Sequence, residues 1–495
     1  MCGSLVDIPQ PVSVTAAANA AVIRHYLGDG MDVAVKEFSL ANGQPAVVFY
    51  IDGMVDKDTL NRDIVAPLVN ADKKGFFTVA ELAEGKLHLG SVTMVKTMAE
   101  VIDAVLQGLI ALFVEGDGTA LLTEAVSWPQ RSVEEPGTDV VVRGPREGFI
   151  EAMRPNVTLL RRRIHHPDLR VETVRIGRYT HTDVALVYIS SVADAQALAL
   201  LRKRLAEIDI DAVLDSGSVE QFIEDSPGSV FPTVGVTEKP DIAAAKMLEG
   251  RIAVIVDGSP AVLTVPMLFV EGLQSPEDYY TRTWYACWVR LIRGAALFLS
   301  VFLPGIFVAA CTWHQQIIPF RLFLSIAAAE AQTPFSVGFS LLLIGVVYEV
   351  LREAGIRLPK PAGQAISIVG AIVMGDAAVS AGLISAPVLI TLAITVVASF
   401  VAVTFVDSST LLWLIFLFLG WAFGFFGIFA GSLFLLVYLC SLESFGLAYF
   451  APFGPVHLPG LRDSLFRAPL WLLKLRPRHM SANRRRVGRM KERRP

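Results

Sequence analysis

Residues 411–440 read LLWLIFLFLGWAFGFFGIFAGSLFLLVYLC, a run without one charged side chain. About 20 apolar residues cross the hydrocarbon of a bilayer, so this run exceeds what one untilted span requires. Gly420, Gly424, Gly427 and Gly431 recur along it at helical spacing, which permits close helix contact or a bend. Small residues are also simply common in membrane helices. Upstream the character persists, because 364–440 carries only two charges, Asp376 and Asp407. Residues 1–290 instead carry charges every few positions. The chain average of 53% hydrophobic and 18% charged over 495 residues therefore describes two parts built for different solvents.

Five further apolar runs accompany the first. Leu291–Cys311 has Arg290 and Arg293 at its entry and Pro304-Gly305 inside it, a place for a kink. Ile317–Ala329 is interrupted by Pro319 and Arg321 and is too short for an ordinary span, which predicts a re-entrant or interfacial segment over 317–329. Phe335–Leu351 carries Glu349, and Gln364–Leu383 and Val388–Val406 flank Ser385-Ala386-Pro387. The N-terminus lacks the basic and apolar regions of a signal peptide, so the first 280 residues are expected on the cytoplasmic side. Basic residues mark cytoplasmic loops. Arg352, Arg357 and Lys360 place one loop there, and the tail Lys474–Arg494, with ten basic residues and one acidic, also belongs there. Five simple spans would put that tail outside. Either 411–440 turns back or one shorter run does not cross, giving four or six crossings.

In the first half, Val33–Leu40 and Ala46–Ile51 flank Asn42-Gly43, a hairpin signal. A helix is expected from Asp58 or Thr59, with Leu60, Ile64 and Leu68 on one face. Met98–Gln107 then leads to strands at Leu109–Val114 and Ala120–Thr123. A second unit holds a helix over Glu147–Ile164, strands Leu169–Ile176 and Val184–Ile189, a helix Ala193–Ile208 and a short strand near Ala212. A helix Asp241–Leu248 and the pair Arg251–Val256 and Ala261–Val265 close it. The expected fold class is an α/β or α+β soluble half of two subdomains, 1–127 and 128–285, followed by a multi-span helical membrane domain, 286–450, and a basic cytoplasmic tail, 451–495.

No enzyme signature is present: GxxxxGK[ST], HExxH, GxSxG and GxGxxG after a strand are all missing. The four cysteines are scattered, and His165-His166 point in different directions on any regular element, so neither predicts a metal site or a cofactor. The net charge of −4 carries no basic bias toward nucleic acid. Arg143, Arg146 and Glu147 with Arg161, Arg162 and Arg163 form a local charge cluster. Pairing with Glu134, Glu135, Glu147 and Glu151 is its structural explanation, an anionic ligand its functional one, and contact between subunits a third. Asp376 sits amid Ile372-Val-Met-Gly and Ala377-Ala-Val. An intramembrane carboxylate usually faces a cavity, a pathway or a partner helix. On a helix it shares a face with Ala365, Val369, Ile372 and Val379, a candidate pore or polar face.

The chain resembles the A subunits of nutrient germinant receptors of endospore-forming bacteria, the GerA family. The residues that carry this are Arg131-Ser-Val-Glu-Glu-Pro, Val142-Arg-Gly-Pro-Arg-Glu-Gly-Phe149, Arg161-Arg-Arg-Ile164, Glu249-Gly-Arg251, Val256-Asp-Gly-Ser-Pro260 and Ser275-Pro-Glu-Asp-Tyr-Tyr280. In the membrane half, Leu351-Arg-Glu-Ala-Gly355, Ser367-Ile-Val-Gly370 and Leu442-Glu-Ser-Phe-Gly446 follow in order. The resemblance implies no enzyme but a subunit of a receptor in the spore inner membrane. Its companions would be a permease-like B subunit and a lipoprotein C subunit. It would form a homo-oligomer, a pentamer, acting as a nutrient-gated channel for monovalent cations that triggers germination. A related stage V sporulation AF-type channel, or a non-conducting scaffold for the nutrient-binding partner, are the alternatives. Asp376 departs from the neutral polar residue of many relatives.

Overall fold

The computed structural model describes residues 10–70, 77–85, 92–125, 143–357, 375–456, 460–464, 466–469, 472, 473, 475, 476, 480, 481, 483 and 486. The hairpin at Asn42-Gly43 forms as its sequence dictates. Strands β1 (Val33–Ser39) and β2 (Pro45–Ile51) pair antiparallel, with Val33 opposite Ile51 and Ser39 opposite Pro45. Strands β3 (Val92–Val95), β4 (Ile110–Val114) and β5 (Ala120–Thr123) complete a sheet ordered β1-β2-β4-β5-β3. The second unit supplies β6 (Leu169–Ile176), β7 (Thr182–Ile189), β8 (Gly235–Thr237), β9 (Ile252–Val256) and β10 (Val262–Val265), ordered β6-β7-β9-β10-β8. Counted from its own first strand, each sheet runs 1-2-4-5-3, and every pairing is antiparallel. The subdomains thus repeat one topology, and of the two expected classes the antiparallel sheets select α+β.

Helices cover both faces of each sheet. In the first unit they are α1 (Ala16–Leu27), α2 (57–69), α3 (Val79–Gly85) and α4 (Met98–Leu106). In the second they are α5 (Met153–Arg161), α6 (Ala195–Glu207), α7 (Ser216–Ile223) and α8 (Pro240–Leu248). Strands β4 and β9 are buried at every residue, which is why both read as unbroken apolar runs. Leu60, Ile64 and Leu68 share the buried face of α2 as their spacing requires. Its cap is Asp56, whose carboxylate accepts from the Asp58 amide, so the helix begins ahead of Asp58.

Two expectations are corrected. The helix after the basic motif starts at Met153 rather than Glu147, because the Asp257 carboxylate accepts from the Met153 amide at 3.0 Å. The Asn156 side chain also accepts from the Ile150 amide at 2.9 Å and holds the approach outside the helix. No strand forms near Ala212. The Ile210 and Asp211 carbonyls instead accept from Arg178 and Tyr179 of the β6–β7 turn, and the chain enters α7 directly.

The subdomains meet at a buried ion pair. Arg161, at the end of α5, donates to Asp32 from Nε at 2.8 Å and to the Leu169 carbonyl from Nη1 at 3.0 Å. Both charged side chains are buried, at 1% and 4% exposure.

The second half is a bundle of α9 (Thr283–Thr312), α10 (Phe320–Glu330), α11 (Val337–Arg357), α12 (375–380), α13 (Ala386–Val401) and α14 (Val406–Ser441). Among the described residues two helical stretches, Thr283–Thr312 and Val403–Ser441, are long and apolar enough to cross a membrane. The second is not straight. Gly424 has φ 60° and ψ −146°, a backbone state that glycine adopts without strain, and it separates limbs 406–423 and 425–441. The limbs lie side by side, since Gly431 packs on Leu419 and Phe416, and Gly427 on the Leu419 carbonyl. Their outer ends land on one loop: Ser408 donates to the Val230 carbonyl at 2.6 Å, and the Tyr438 hydroxyl donates to Ser229 Oγ at 3.0 Å. The 30-residue apolar run therefore turns back, the first of the two resolutions that the charge pattern left open.

Contacts give the direction of each helix. Helix α9 leaves the soluble domains and ends at Trp313, which donates to the Trp421 carbonyl beside the Gly424 turn. Helix α10 lies at that far end and has 11 residues, about 16 Å at 1.5 Å per residue, too short to span. Helix α11 returns: Gly338 packs on Trp421, Gly345 on Trp413, and Arg352 donates to Thr410 near the domains. The chain is again at the far end by Gly382, next to the Gln332 carbonyl. Helix α13 starts there, where Ser385 donates to Glu330 at 2.7 Å, and ends near Phe405, which stacks on Phe269 of the second subdomain. With the two limbs of α14, the bundle begins and ends on the side of the soluble domains.

Candidate functional site

Where the soluble half meets the bundle, a cluster of charges is buried. The one-turn helix Glu277–Tyr280 precedes α9 and brings Asp278 against the first turns of that helix. Arg290 donates to Asp278 at 2.8 Å, and from its other nitrogen to the carboxylate and the carbonyl of Asp463, each at 2.9 Å. Arg293 grips both oxygens of Asp278, at 2.9 and 3.0 Å. Arg290 and Asp278 are 1% and 2% exposed, so each charge depends on the other. Tyr279 lies beneath the guanidinium groups of Arg290 and Arg467 and donates to Asp463 at 2.9 Å. Burial pushes the Tyr279 phenol up, so it remains a neutral donor at physiological pH. Three separate segments thus converge: the end of the second subdomain, the root of α9 and the chain after the bundle. Arg290 and Arg293 read in the sequence as span-entry charges. Asp278 lies in the quoted motif Ser275–Tyr280, and its opposite sign close in sequence to those arginines is the signal that pairs them; nothing local marks Asp463.

The tail is tied down a second time. Arg251 donates to Glu271 at 2.6 and 3.0 Å and to Glu249 at 2.6 Å. Arg486 pairs with the same Glu249, Arg476 donates to the Leu248 carbonyl at 2.7 Å, and the Met480 carbonyl approaches Gly250 so closely that a Cβ there would collide with it. The Glu249-Gly-Arg251 motif is therefore a docking point for the basic tail, and the docked tail lies on the domain side.

The loop that receives α14 is itself acidic. Asp225 accepts from the Phe445 amide at 2.5 Å, and Glu224 accepts from Thr233 at 3.1 Å. One turn away, burial first and then the neighbours Glu224 and Asp215 push the Glu220 carboxyl up to about 7. A carboxyl raised in the folded state stabilises the fold below its ordinary value of 4.5, and that contribution is lost as pH rises through about 7. Glu220→Gln should therefore flatten the fall in melting temperature across that window, measured on the full chain in detergent. An unchanged slope would show that Glu220 titrates normally.

Asp376 is exposed on α12, which ends at Ser380 and turns back through Gly382 to Ser385. It thus lies little more than one turn from the far end of the bundle, rather than midway along it. Val379 is half-buried on the same helix. Ala365, Val369 and Ile372 lie outside the described residues. The basic motif divides. Arg161 is used inside the chain, on Asp32, whereas Arg163 at 2.7 Å and Arg162 at 3.8 Å converge on Glu147. Arg143 and Arg146 are exposed, and the Arg143 amide reaches Glu277 at 3.4 Å. Glu134 and Glu135, the other expected partners, lie outside the described residues.

Residues 21–479 match the profile of the family described as Bacillus/Clostridium GerA spore germination protein. Spore germination protein KA of Bacillus subtilis (strain 168) is 40% identical over 96% of this chain and 88% of its own length. The uncharacterized membrane protein YfkQ of the same organism is 38% identical over 90% of this chain and 87% of its own. The crystal structure of the N-terminal domain of the A subunit of the Bacillus megaterium spore germinant receptor GerK3 is 32% identical. It covers 52% of this chain and 98% of that chain, with a TM-score of 0.43.

Proposed function

The chain belongs to the Bacillus/Clostridium GerA spore germination protein family, and from that premise we propose that it is the A subunit of a nutrient germinant receptor, a six-pass membrane protein whose copies assemble into a gated cation channel. The bundle supports the six passes: α9, α11, the return to Gly382, α13 and the two limbs of α14 alternate in direction, and α10 rests at the far interface. Both soluble subdomains and the tail then share the cytoplasmic side, the core of the spore, as the basic loop and tail require. Oligomerisation, as a pentamer, together with a permease-like B subunit and a lipoprotein C subunit, extends the relatives' role to this chain. Arg143, Arg146 and Glu147, with Arg162 and Arg163 behind them, are the surface offered to a neighbouring subunit.

The observation that carries the conducting reading is Asp376. It is an exposed carboxylate on a helix of the bundle, near the end away from the soluble domains, and a carboxylate in that position belongs at water or an ion path. A ring of such carboxylates concentrates cations at a pore mouth. The test is co-expression with the B and C partners in vegetative cells while potassium leakage is followed. Nutrient-dependent leakage that vanishes without this chain, and falls severalfold in Asp376→Asn, supports the channel. Leakage indifferent to both changes leaves the chain a scaffold for the nutrient-binding subunit.

A further inference from the structure

Helices α9 and α13 part on the outside of the bundle, and the open trough between them has a volume of about 450 Å³. Its walls are Ala295, Ala296 and Leu299 on one side and Ala393, Val397 and Ala398 on the other, with no polar surface at all. The alanines make the recess: longer side chains in those places would close it. The trough begins in the domain-proximal half of α9 and reaches the middle of that helix at Leu299, about four and a half turns from its root.

Its upper end is marked. Tyr285, Trp288 and Ile292 precede Ala295 and Leu299 at alternating intervals of three and four, so they form one stripe on α9. Trp284, Tyr285 and Trp288 are 88%, 61% and 60% exposed, as amphipathic rings are at the level of lipid headgroups. At the head of the stripe stands Arg282, exposed, its side chain without an ion pair or hydrogen bond among the described residues. The neighbouring arginines differ, since Arg290 and Arg293 are both committed to Asp278. A free cation at the N-cap, an aromatic collar and an apolar trough therefore follow one another along α9.

We propose that this face is a binding site for an anionic phospholipid: the phosphate on Arg282, the glycerol region against Tyr285 and Trp288, and one acyl chain in the trough. The site rests on the membrane placement above. A helix with its side chains is about 10–12 Å across, too broad for a recess of this size, whereas one flexible chain fits it. The lipid would span the gap between the first and fourth passes on the side where the soluble domains attach, and so brace the root of α9.

The full chain in detergent, delipidated, would be titrated with phosphatidylglycerol, with phosphatidylcholine and with inorganic phosphate while its melting temperature is read. Phosphatidylglycerol is expected to stabilise most, and inorganic phosphate not at all. A basic residue near a membrane surface favours an anionic lipid about fivefold, so Arg282→Gln should cut the preference for phosphatidylglycerol over phosphatidylcholine by that factor. Ala393→Phe, which fills the trough, should abolish stabilisation by both lipids, with Ala393→Ser as a folded control. Equal stabilisation by the two lipids, or an effect of phosphate alone, would overturn the site. So would efficient self-cross-linking of Ile394→Cys, which would make the trough a seat for a second copy. Retention in carbonate-washed membranes tests the membrane placement separately, so a chain that stays in the membrane without lipid preference refutes only the lipid site.

Discussion

Arg290→Ala is expected to remove about 3–5 kcal/mol of stability, the cost of stranding the partners of a buried charge, and to free the chain around Asp463 from the bundle. Arg290 is 1% exposed and holds Asp278, the Asp463 carboxylate and the carbonyls of Asp463 and Ser464. Asp278 keeps its two bonds from Arg293 when Arg290 is lost. Asp463 keeps the Tyr279 hydroxyl on its carboxylate and the Gln274 amide on its carbonyl but loses its one charged partner, so the tail is where the damage concentrates. Thermal unfolding in detergent reads the loss, and limited proteolysis after residue 456 reads the release of the tail. Arg290→Lys retains the charge but not the planar fork and should fall between the two. Asp463→Asn added to Arg290→Ala should cost much less than it does alone, because the groups act as one unit. A melting temperature for Arg290→Ala within a degree or two of the parent would remove the cluster from its role as the joint.

That joint has a functional consequence. Under the receptor reading, a signal received by the soluble subdomains reaches the bundle through the root of α9 and the Phe231, Phe269 and Phe405 contact. Both are closely packed in the described state: one is a buried ion cluster and the other a set of packed aromatic rings. Gating must then move the second subdomain and α9 together, or break one of these contacts.

How much of this the sequence displays depends on the range of each interaction. Periodicity and turn chemistry are local, so the Asn42-Gly43 hairpin, strands β4, β6 and β9 and the α2 face are all legible. Strands β3 and β8 have only four and three residues and sit at sheet edges, where too few positions exist for alternation to show. Helix α1, Ala16–Leu27, is alanine-rich, and its apolar face is made mainly of small residues that give a weak pattern. Arg161 and Asp32 are 129 residues apart, and neither carries a local sign that it will be buried against the other. The return of 411–440 was legible only as a parity argument, from the basic tail and loop. The glycine spacing alone did not say which glycine bends the chain and which ones allow close contact.

The structure separates those glycine roles, and substitutions should separate them again. A Cβ on Gly420 would fall 2.4 Å from the Gly305 carbonyl oxygen, and one on Gly305 would fall 2.3 Å from that of Phe416. Both obstacles are backbone, so no rotamer relieves them, and α9 and the first limb of α14 must move apart. That separation opens the contact in which Phe302 and Phe416 lie 4.4 Å between centroids, with Val308 and Leu417 buried nearby. Overpacking a core usually costs about 1–3 kcal/mol, and Gly420→Val should reach or exceed the top of that range. At Gly431 the added atom would meet only side chains, Leu419 at 2.5 Å and Phe416 at 3.1 Å, which can rotate away. Gly431→Ala should therefore keep most of the folded yield, while Gly420→Val loses it, as read by monodispersity and melting in detergent. Equal tolerance at the two positions would mean that α9 and α14 do not approach through Gly305 and Gly420, and the packing of the whole bundle around α9 would have to be redrawn.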